Sequence, residues 1–337
     1  MKSELTVAVV APSSPARVES YEAGITELAE RFSRVKLYCG PAVTNAGSES
    51  GFTCGSRVER VAAIYDAFAD VEVDAVICLR GGTGASELLP LFDFRRLSRT
   101  PKPFIGFSDV TALLLSFNAL AGIPTIHGPH VAFEFARAKD SALANESVEA
   151  LQTFLGTYCS GTDSTIVLRG KNARDLLPAD SELRYQSAVI GQLAAPVFAP
   201  VVPANLTMLL SLLGTPWEPD LNGVLLLLEE VNEAPYRIYR MLTQLLLAGK
   251  LDSLCALAFG GLSLTEAAPR EDGAPHDEES LMRRLAEDMF TVFDFPVLYS
   301  MPIGHELLNY PVPVRALGRI EGSNIVLTCP SLAKVEK

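Results

Sequence analysis

The chain has few of the residues that would tie it to a metal, to nucleic acid or to a membrane. Its six cysteines (Cys39, Cys54, Cys78, Cys159, Cys255, Cys329) are scattered without paired spacing, so neither a disulfide framework nor a thiolate metal site is implied. Cys78 and Cys255 lie inside apolar runs, where a thiol is a small hydrophobe. There are only four histidines. His127 and His130 have a spacing a metal can use, but no nearby Cys or His completes a set, and His276 stands in an acidic stretch. Lys/Arg runs are absent and the net charge is -12, which argues against a nucleic-acid backbone or an anionic membrane surface as partner. No stretch reaches the roughly 18 apolar residues of a membrane span. The run Val7 to Ala11 is too short for a signal segment and reads as a first buried strand, while Gly223 to Leu228 runs straight into Glu229 and Glu230. A cytoplasmic globular chain with reduced cysteines, acting on a small molecule or peptide, fits these absences.

What is present is enough apolar residue for real cores, spread over 337 residues. That exceeds the roughly 250–300 residues at which a single core stops growing, so two domains are expected. The first 130 residues alternate β-branched runs (Thr6–Ala11, Val35–Tyr38, Ala75–Leu79, Pro103–Gly106) with amphipathic helices (Tyr21–Phe32, Val58–Phe68), the rhythm of parallel βαβ units. The expectation is an open parallel-sheet, Rossmann- or flavodoxin-like α/β domain over 1–140. A looser, polar link follows over 141–165, then a mixed α+β domain over 166–337. In the second half, helices are expected at Asn205–Leu213, Tyr236–Leu247 and Glu279–Phe290. Strands are expected near Ile166–Leu168, Gly223–Leu228, Leu254–Phe259, Pro296–Tyr299 and Asn324–Thr328. The segment EAAPREDGAPHDEES reads as an exposed loop.

Three segments can carry chemistry. In PFIGFSDVTALLLSFNAL a buried strand turns at Gly106–Asp109 into an apolar helix. Such a junction can lift the Ser108 hydroxyl above the sheet edge and aim the next backbone N–H at a developing oxyanion. The same serine would equally serve as a helix N-cap, and G-F-S-D is not the G-x-S-x-G elbow. LRGGTGASELLP places a Gly-rich turn straight after a strand. A dinucleotide fingerprint starting at Gly82 fails because Glu87 stands where its third glycine belongs, and no P-loop Gly-Lys-Ser/Thr follows. An oxyanion donor or a cradle for substrate backbone suits this turn better. Finally, VLLLLEEVNE ends an apolar strand in two carboxylates. Exposed Glu pairs are usually solvated, but Glu229 directly continues the strand and would need an imidazole or cation as partner. His305, in SMPIGHELLNYP, is one such imidazole, although a lone His is more often structural.

Taken in order, VAVVAPSSP, LRGGTGASELLP, FIGFSDVTALLL, IHGPH, the stretch from Asn205 to Gly249 and MPIGHELLN resemble the LD-carboxypeptidase family. These are serine peptidases that include murein tetrapeptide carboxypeptidases and microcin C immunity peptidases. The resemblance implies Ser108 as nucleophile, His305 as general base and acid, and Glu229 as the group orienting the imidazole. It implies backbone N–H groups of Gly82 and Asp109 as the oxyanion hole, and Gly81, Thr83 and Asn205 at the substrate. It also implies a homodimer and a site between the two domains. The expected substrate is a murein tetrapeptide, cut between an L-centre (diaminopimelate or lysine) and terminal D-alanine in cell-wall recycling, with no metal or organic cofactor. The alternatives are a microcin C-like aminoacyl-nucleotide amidase, in which Trp217 or Tyr236 would stack a base, and a catalytically silent peptide-binding homologue. Departures fall at Thr83 (family Tyr), Pro203 and Ala204 (family Gly-Gly), Glu230 (family Asp) and Arg315 (family Gly), so substrate choice is what they touch. Which arginine meets the substrate carboxylate is left open by the sequence.

Overall fold

The apolar run near the N-terminus forms β1 (Ser3–Val10), and its pleat divides it: Val7 and Val9 enter one core, Ala8 and Val10 the other. In the computed structural model, which describes residues 3–40, 44–172, 197–265, 278–305 and 308–331, β1 pairs parallel with β2 (Phe32–Leu37) and β3 (Ala75–Cys78). Beyond β3 come β4 (Phe104–Gly106) and β5 (Thr125–His127), also parallel. The order β2-β1-β3-β4-β5 has its switch point between β1 and β3, where successive crossovers depart in opposite directions and leave a crevice at the carboxyl edge. The crossovers are α1 (Val18–Arg31), α2 (Arg57–Ala69), the short α3 (Phe94–Leu97) and α4 (Thr111–Ala121). α2 begins where predicted because Ser56 and Glu59 form a reciprocal capping box.

A second, mixed sheet follows. It contains β6 (Ser164–Arg169), β7 (Lys171–Asn172), β8 (Phe198–Asn205), β9 (Leu225–Glu233), β10 (Ala256–Leu264) and β11 (Val297–Tyr299). β8 to β11 run parallel in sequence order. The two-residue β12 (Val312–Pro313) leaves this sheet and pairs antiparallel with β5 of the first. β13 (Leu317–Glu321) and β14 (Asn324–Cys329) then close the antiparallel flank beside β8 and β6. An open parallel sheet followed by a mixed one is the architecture the alternation of elements implied. The apolar residues form two clusters, and each draws on both sheets: Val10, Phe104 and Leu115 with Leu226 and Phe259 in one, Val9, Ile77 and Ile126 with Leu225 and Leu327 in the other.

Several elements differ from the sequence reading. The stretch expected to be an irregular link holds α5 (Ala142–Cys159), because Ala144, Val148, Leu151, Leu155 and Tyr158 recur at helical spacing beneath its polar residues and are all buried. β8 went unrecognised because Pro200 and Pro203 break the strand pattern. It is nevertheless central, with Val201 and Pro203 paired to Leu225 and Leu227 of β9. β5 and β12 are too short to show a period. The acidic segment read as an exposed loop spans 266–280; residues 266–277, with His276, lie outside the described residues, and its last three residues instead begin a helix (Glu278–Asp288). Among the described residues no helix is long and apolar enough to cross a membrane.

Arg315 occupies the position where the resemblance expects glycine, and its φ is +63°. An L side chain in the left-handed region is disfavoured by about 1–2 kcal/mol relative to glycine. Its N–H donates to Val201 O at 2.7 Å, which holds the turn in that conformation. Arg315→Gly should therefore be more stable than Arg315→Ala by about 1 kcal/mol in urea unfolding. Equal stability of the two variants would show that the turn relaxes.

Candidate active site

A serine in G-F-S-D acts only if the backbone turns it out of the sheet. β4 ends fully buried, Phe107 is extended, and Ser108 then adopts φ +59° before a short 3-10 turn (Ser108–Val110) leads into α4. A non-glycine residue in that conformation costs about 1–3 kcal/mol and persists only where its surroundings impose it. Those surroundings are specific. The Phe107 N–H donates to His130 Nε2 at 3.0 Å, and the Phe107 ring stacks on the same imidazole at 4.3 Å. The buried Asp109 carboxylate accepts from Ser13 Oγ at 2.6 Å and from the Ala85 N–H at 2.9 Å. It thereby ties together the turns that follow β1, β3 and β4. Burial pushes the Asp109 pKa up, against the pull of these bonds. The N-cap of α4 is Val110. The Ser108 hydroxyl instead lies 3.0 Å from His305 Nε2.

Glu229 is delivered by the pleat of β9. Leu225, Leu227 and Glu229 share one face, Leu226, Leu228 and Glu230 the other. Glu229 is fully buried, and its Oε2 lies 2.7 Å from His305 Nδ1. Its Oε1 is 3.9 Å from His127 Nε2, beyond hydrogen-bond reach. Burial drives the Glu229 pKa up, but the His305 and His127 imidazoles outweigh it, so the carboxyl is held below its ordinary range. For His305, burial pulls the pKa down and the Glu229 charge more than restores it, leaving it raised. Both directions agree that Glu229 stays ionised and polarises the imidazole.

His305 rides on the loop after β11. That loop is anchored to β10 by Met301 N–H to Phe259 O (2.9 Å) and Gly261 N–H to Ile303 O (3.0 Å). Gly304 has φ +105°, and a Cβ there would stand 2.8 Å from Glu229 Cβ, so only glycine lets the loop lie against the carboxylate. Gly81 has a parallel role: its Cβ would meet Ser108 Cβ at 2.9 Å and Oγ at 3.0 Å. The Gly-rich loop thus presses against the serine.

The three residues stand beneath a cavity of about 510 Å³ lined in part by Gly81, Gly82, Phe107 and Asn232. Its charged lining side chains, His305 and His130 aside, are Arg17, Arg80 and Arg137. Arg80 is half-buried and donates to Gly81 O (3.1 Å) and Pro15 O (3.2 Å), while Arg137 lies over the Phe133 ring at 4.0 Å. Burial and the nearby Arg17 lower the Arg80 pKa. Thr83 and Asn205 are not among the cavity residues. Thr83 is exposed, its N–H on Ser14 Oγ (3.1 Å). Asn205 caps α6 (Leu206–Leu212) through Met208 N–H and donates to Glu230 Oε1 at 3.1 Å. Trp217 packs partly buried against the core, and Tyr236, at the start of α7 (Pro235–Leu247), is exposed.

Sequence reasoning did not find Glu134 and Asn309. Glu134, in a π-helical turn (Val131–Phe135), accepts from the His130 N–H and from Asn309 Nδ2, each at 2.8 Å. Asn309 Oδ1 accepts the Gly304 N–H at 3.0 Å. Nothing in periodicity marks either residue. The one available signal for Glu134 was a lone carboxylate among apolar neighbours in VAFEF.

The profile of the LD-carboxypeptidase N-terminal domain matches residues 7–128, and that of the LD-carboxypeptidase C-terminal domain matches 199–320. A probable murein peptide carboxypeptidase of Bacillus subtilis is 31% identical over 311 residues, 92% of this chain and 87% of that one. A murein tetrapeptide carboxypeptidase of Pseudomonas aeruginosa is 30% identical over 326 residues, covering 95% and 94%. The crystal structure of a muramoyltetrapeptide carboxypeptidase from Oxalobacter formigenes superposes with a TM-score of 0.76 at 25% identity, covering 97% of this chain and 99% of that one.

Gly304→Ala combines a disfavoured φ with a clash against Glu229, whereas Gly322→Ala, at φ +60°, meets nothing within 4 Å. Gly304→Ala should therefore lower the unfolding free energy by about 2–3 kcal/mol and Gly322→Ala by about 1 kcal/mol in urea titrations. Equal losses would mean that the His305 loop shifts freely.

Proposed function

The chain belongs to the LD-carboxypeptidase family of serine peptidases, and from that premise we propose that it removes the terminal D-alanine from murein tetrapeptide with Ser108, His305 and Glu229 as catalytic triad. The observation that carries this reading is the continuous contact from Ser108 Oγ to His305 Nε2 (3.0 Å) and from Nδ1 to Glu229 (2.7 Å). Ser108 Oγ attacks the scissile carbonyl as its proton passes to His305 Nε2. The imidazolium is stabilised by Glu229, and the same proton then goes to the departing D-alanine amine. Water, deprotonated by His305, next cleaves the acyl-Ser108 ester and releases the shortened peptide. The backbone N–H groups of Gly82 and Asp109 are assigned to the oxyanion. The location of Gly82 in the cavity wall and of Asp109 next to the nucleophile supports this.

The arginines fit an exopeptidase. A peptide cut one residue from its end carries a free carboxylate close to the scissile bond, and guanidinium is the group that pairs with carboxylate through two parallel bonds. Arg80 spends two of its five donors on backbone carbonyls. It is thus held in place with donors to spare, and an arriving carboxylate relieves its proximity to Arg17. The cytoplasmic, homodimeric state expected for such a recycling enzyme belongs to the same reading and rests on the family resemblance.

Wild type should release free D-alanine from purified murein tetrapeptide, and Ser108→Ala should lose at least about a thousandfold in kcat. Release that survives Ser108→Ala would sink the nucleophile assignment, and no release by wild type would redirect the search to aminoacyl-nucleotide amides. Because the His305 pKa is raised, the protonated and inactive imidazole persists to higher pH. The acid limb of kcat/KM should therefore lie above about 6.5, the ordinary histidine value. In Glu229→Gln that limb should move to lower pH while kcat falls by about 10³–10⁴. An unmoved limb would remove Glu229 from the triad. A tetrapeptide ending in a carboxamide should lose about 10²-fold in kcat/KM with wild type and much less with Arg80→Met. Equal discrimination by both proteins would remove Arg80 from carboxylate recognition.

A further inference from the structure

Beside the triad runs a second buried polar chain that the reaction as written does not use. It starts at the Phe107 N–H, which donates to His130 Nε2 at 3.0 Å, and continues from the His130 N–H to Glu134 Oε2 at 2.8 Å. From the other end, the Gly304 N–H donates to Asn309 Oδ1 at 3.0 Å, and Asn309 Nδ2 donates to Glu134 Oε1 at 2.8 Å. Phe107 is the neighbour of Ser108 and Gly304 the neighbour of His305. The two loops that must meet in catalysis, nearly two hundred residues apart in the chain, are therefore joined a second time, behind the reacting atoms.

The joint depends on the direction of its bonds. Both arms point donors at Glu134, so each of its oxygens must accept. Asn309 is committed in orientation, since its oxygen faces Gly304 and its amide nitrogen faces Glu134. A flip of that amide would break both ends. Asn309 is further pinned by donating its own N–H to Ser147 Oγ at 2.7 Å, which ties the joint to α5. His130, Glu134 and Asn309 are all at most 2% exposed. A buried carboxyl gives less stability than a well-packed apolar residue of similar size, so packing alone is a poor reason for one here. The loops also have a use for the restraint. Ser108 holds left-handed backbone, which a residue with a side chain keeps only where the surroundings oppose its relaxation.

We propose that Glu134 is a positioning residue that sets the Ser108–His305 spacing, by accepting simultaneously from the His130 N–H on the nucleophile side and the Asn309 amide on the imidazole side. The charge of Glu134 also acts on His305 and helps raise its pKa, after Glu229. Glu230 adds to this field, while burial holds the His130 pKa well below the usual histidine range, so its ring is neutral and accepts from the Phe107 N–H. Burial lifts the Glu134 pKa to about 7. When Glu134 takes up a proton, one oxygen becomes a donor facing a donor and one arm of the joint opens.

The test uses the full chain with Glu134→Gln, Asn309→Ser and the double variant. It measures kcat and KM for tetrapeptide, the acid limb of kcat/KM, and the rate at which a serine-directed phosphonate labels Ser108. Labelling reads the assembled triad without the natural substrate, so it remains informative if D-alanine release by wild type fails. Each single variant should lower kcat and the labelling rate by about tenfold or more, the scale expected of a sub-ångström misplacement, with KM within about twofold. The double variant should be no worse than the weaker single, because both cut the same link. Glu134→Gln should also move the acid limb to lower pH, an effect that a purely structural role would not produce. A folded Glu134→Gln with wild-type kcat and an unmoved limb would overturn the proposal. If Glu134→Gln does not fold, Asn309→Ser decides alone, and wild-type labelling by that variant would overturn it equally.

Discussion

The structure is organised around one contact, the 2.7 Å approach of a fully buried Glu229 carboxylate to His305. An ionised carboxylate in an apolar sheet is untenable without a partner. The partner here comes from a loop that starts at the next-but-one parallel strand. β10 lies between them, and Met301 and Ile303 fasten the loop back onto it. Gly304 is needed because that loop must pass within van der Waals distance of the Glu229 side chain. Once the pair exists, His305 has a single free nitrogen, and the docking of the two sheets determines what that nitrogen meets.

That docking is not a loose hinge of two separate bodies. Each of the two apolar clusters takes residues from both sheets, and β12 returns from the second half to pair with β5. The switch point of the first sheet, the natural crevice of this topology, therefore opens under the loop that carries His305. Three turns meet there, held by Asp109. The strained Ser108 conformation sits among them, with His130 bonded to the residue before it. The site resembles a small rigid frame whose catalytic atoms occupy its least relaxed corners, as expected where preorganisation matters more than local comfort.

Much of the fold was legible because its signals are local. β1, β3 and β4 show as short β-branched runs, and α2 has both its period and its capping box. β8 was hidden by Pro200 and Pro203, whose missing N–H groups normally exclude a central strand, and here the pairing with β9 and β13 overrides that preference. α5 was hidden because small and polar residues diluted a period that burial shows to be intact. In the site, Ser108, Gly81 and Glu229 stood out because each breaks the pattern of a strand or its exit. His305 stood out because so few histidines compete with it.

The sequence by itself determined which residues could do chemistry, since strand exits, glycines and a carboxylate at the end of an apolar run are written in consecutive positions. It also determined the doubly wound first half, because periodicity and capping act over a single turn or strand. Only the tertiary structure decided that Ser108 and His305 meet, that arginines rather than carboxylates line the cavity above them, and that Glu134 and Asn309 join the two loops from behind. Those contacts span long stretches of chain and depend on side-chain direction after packing. Neither composition nor spacing encodes that direction.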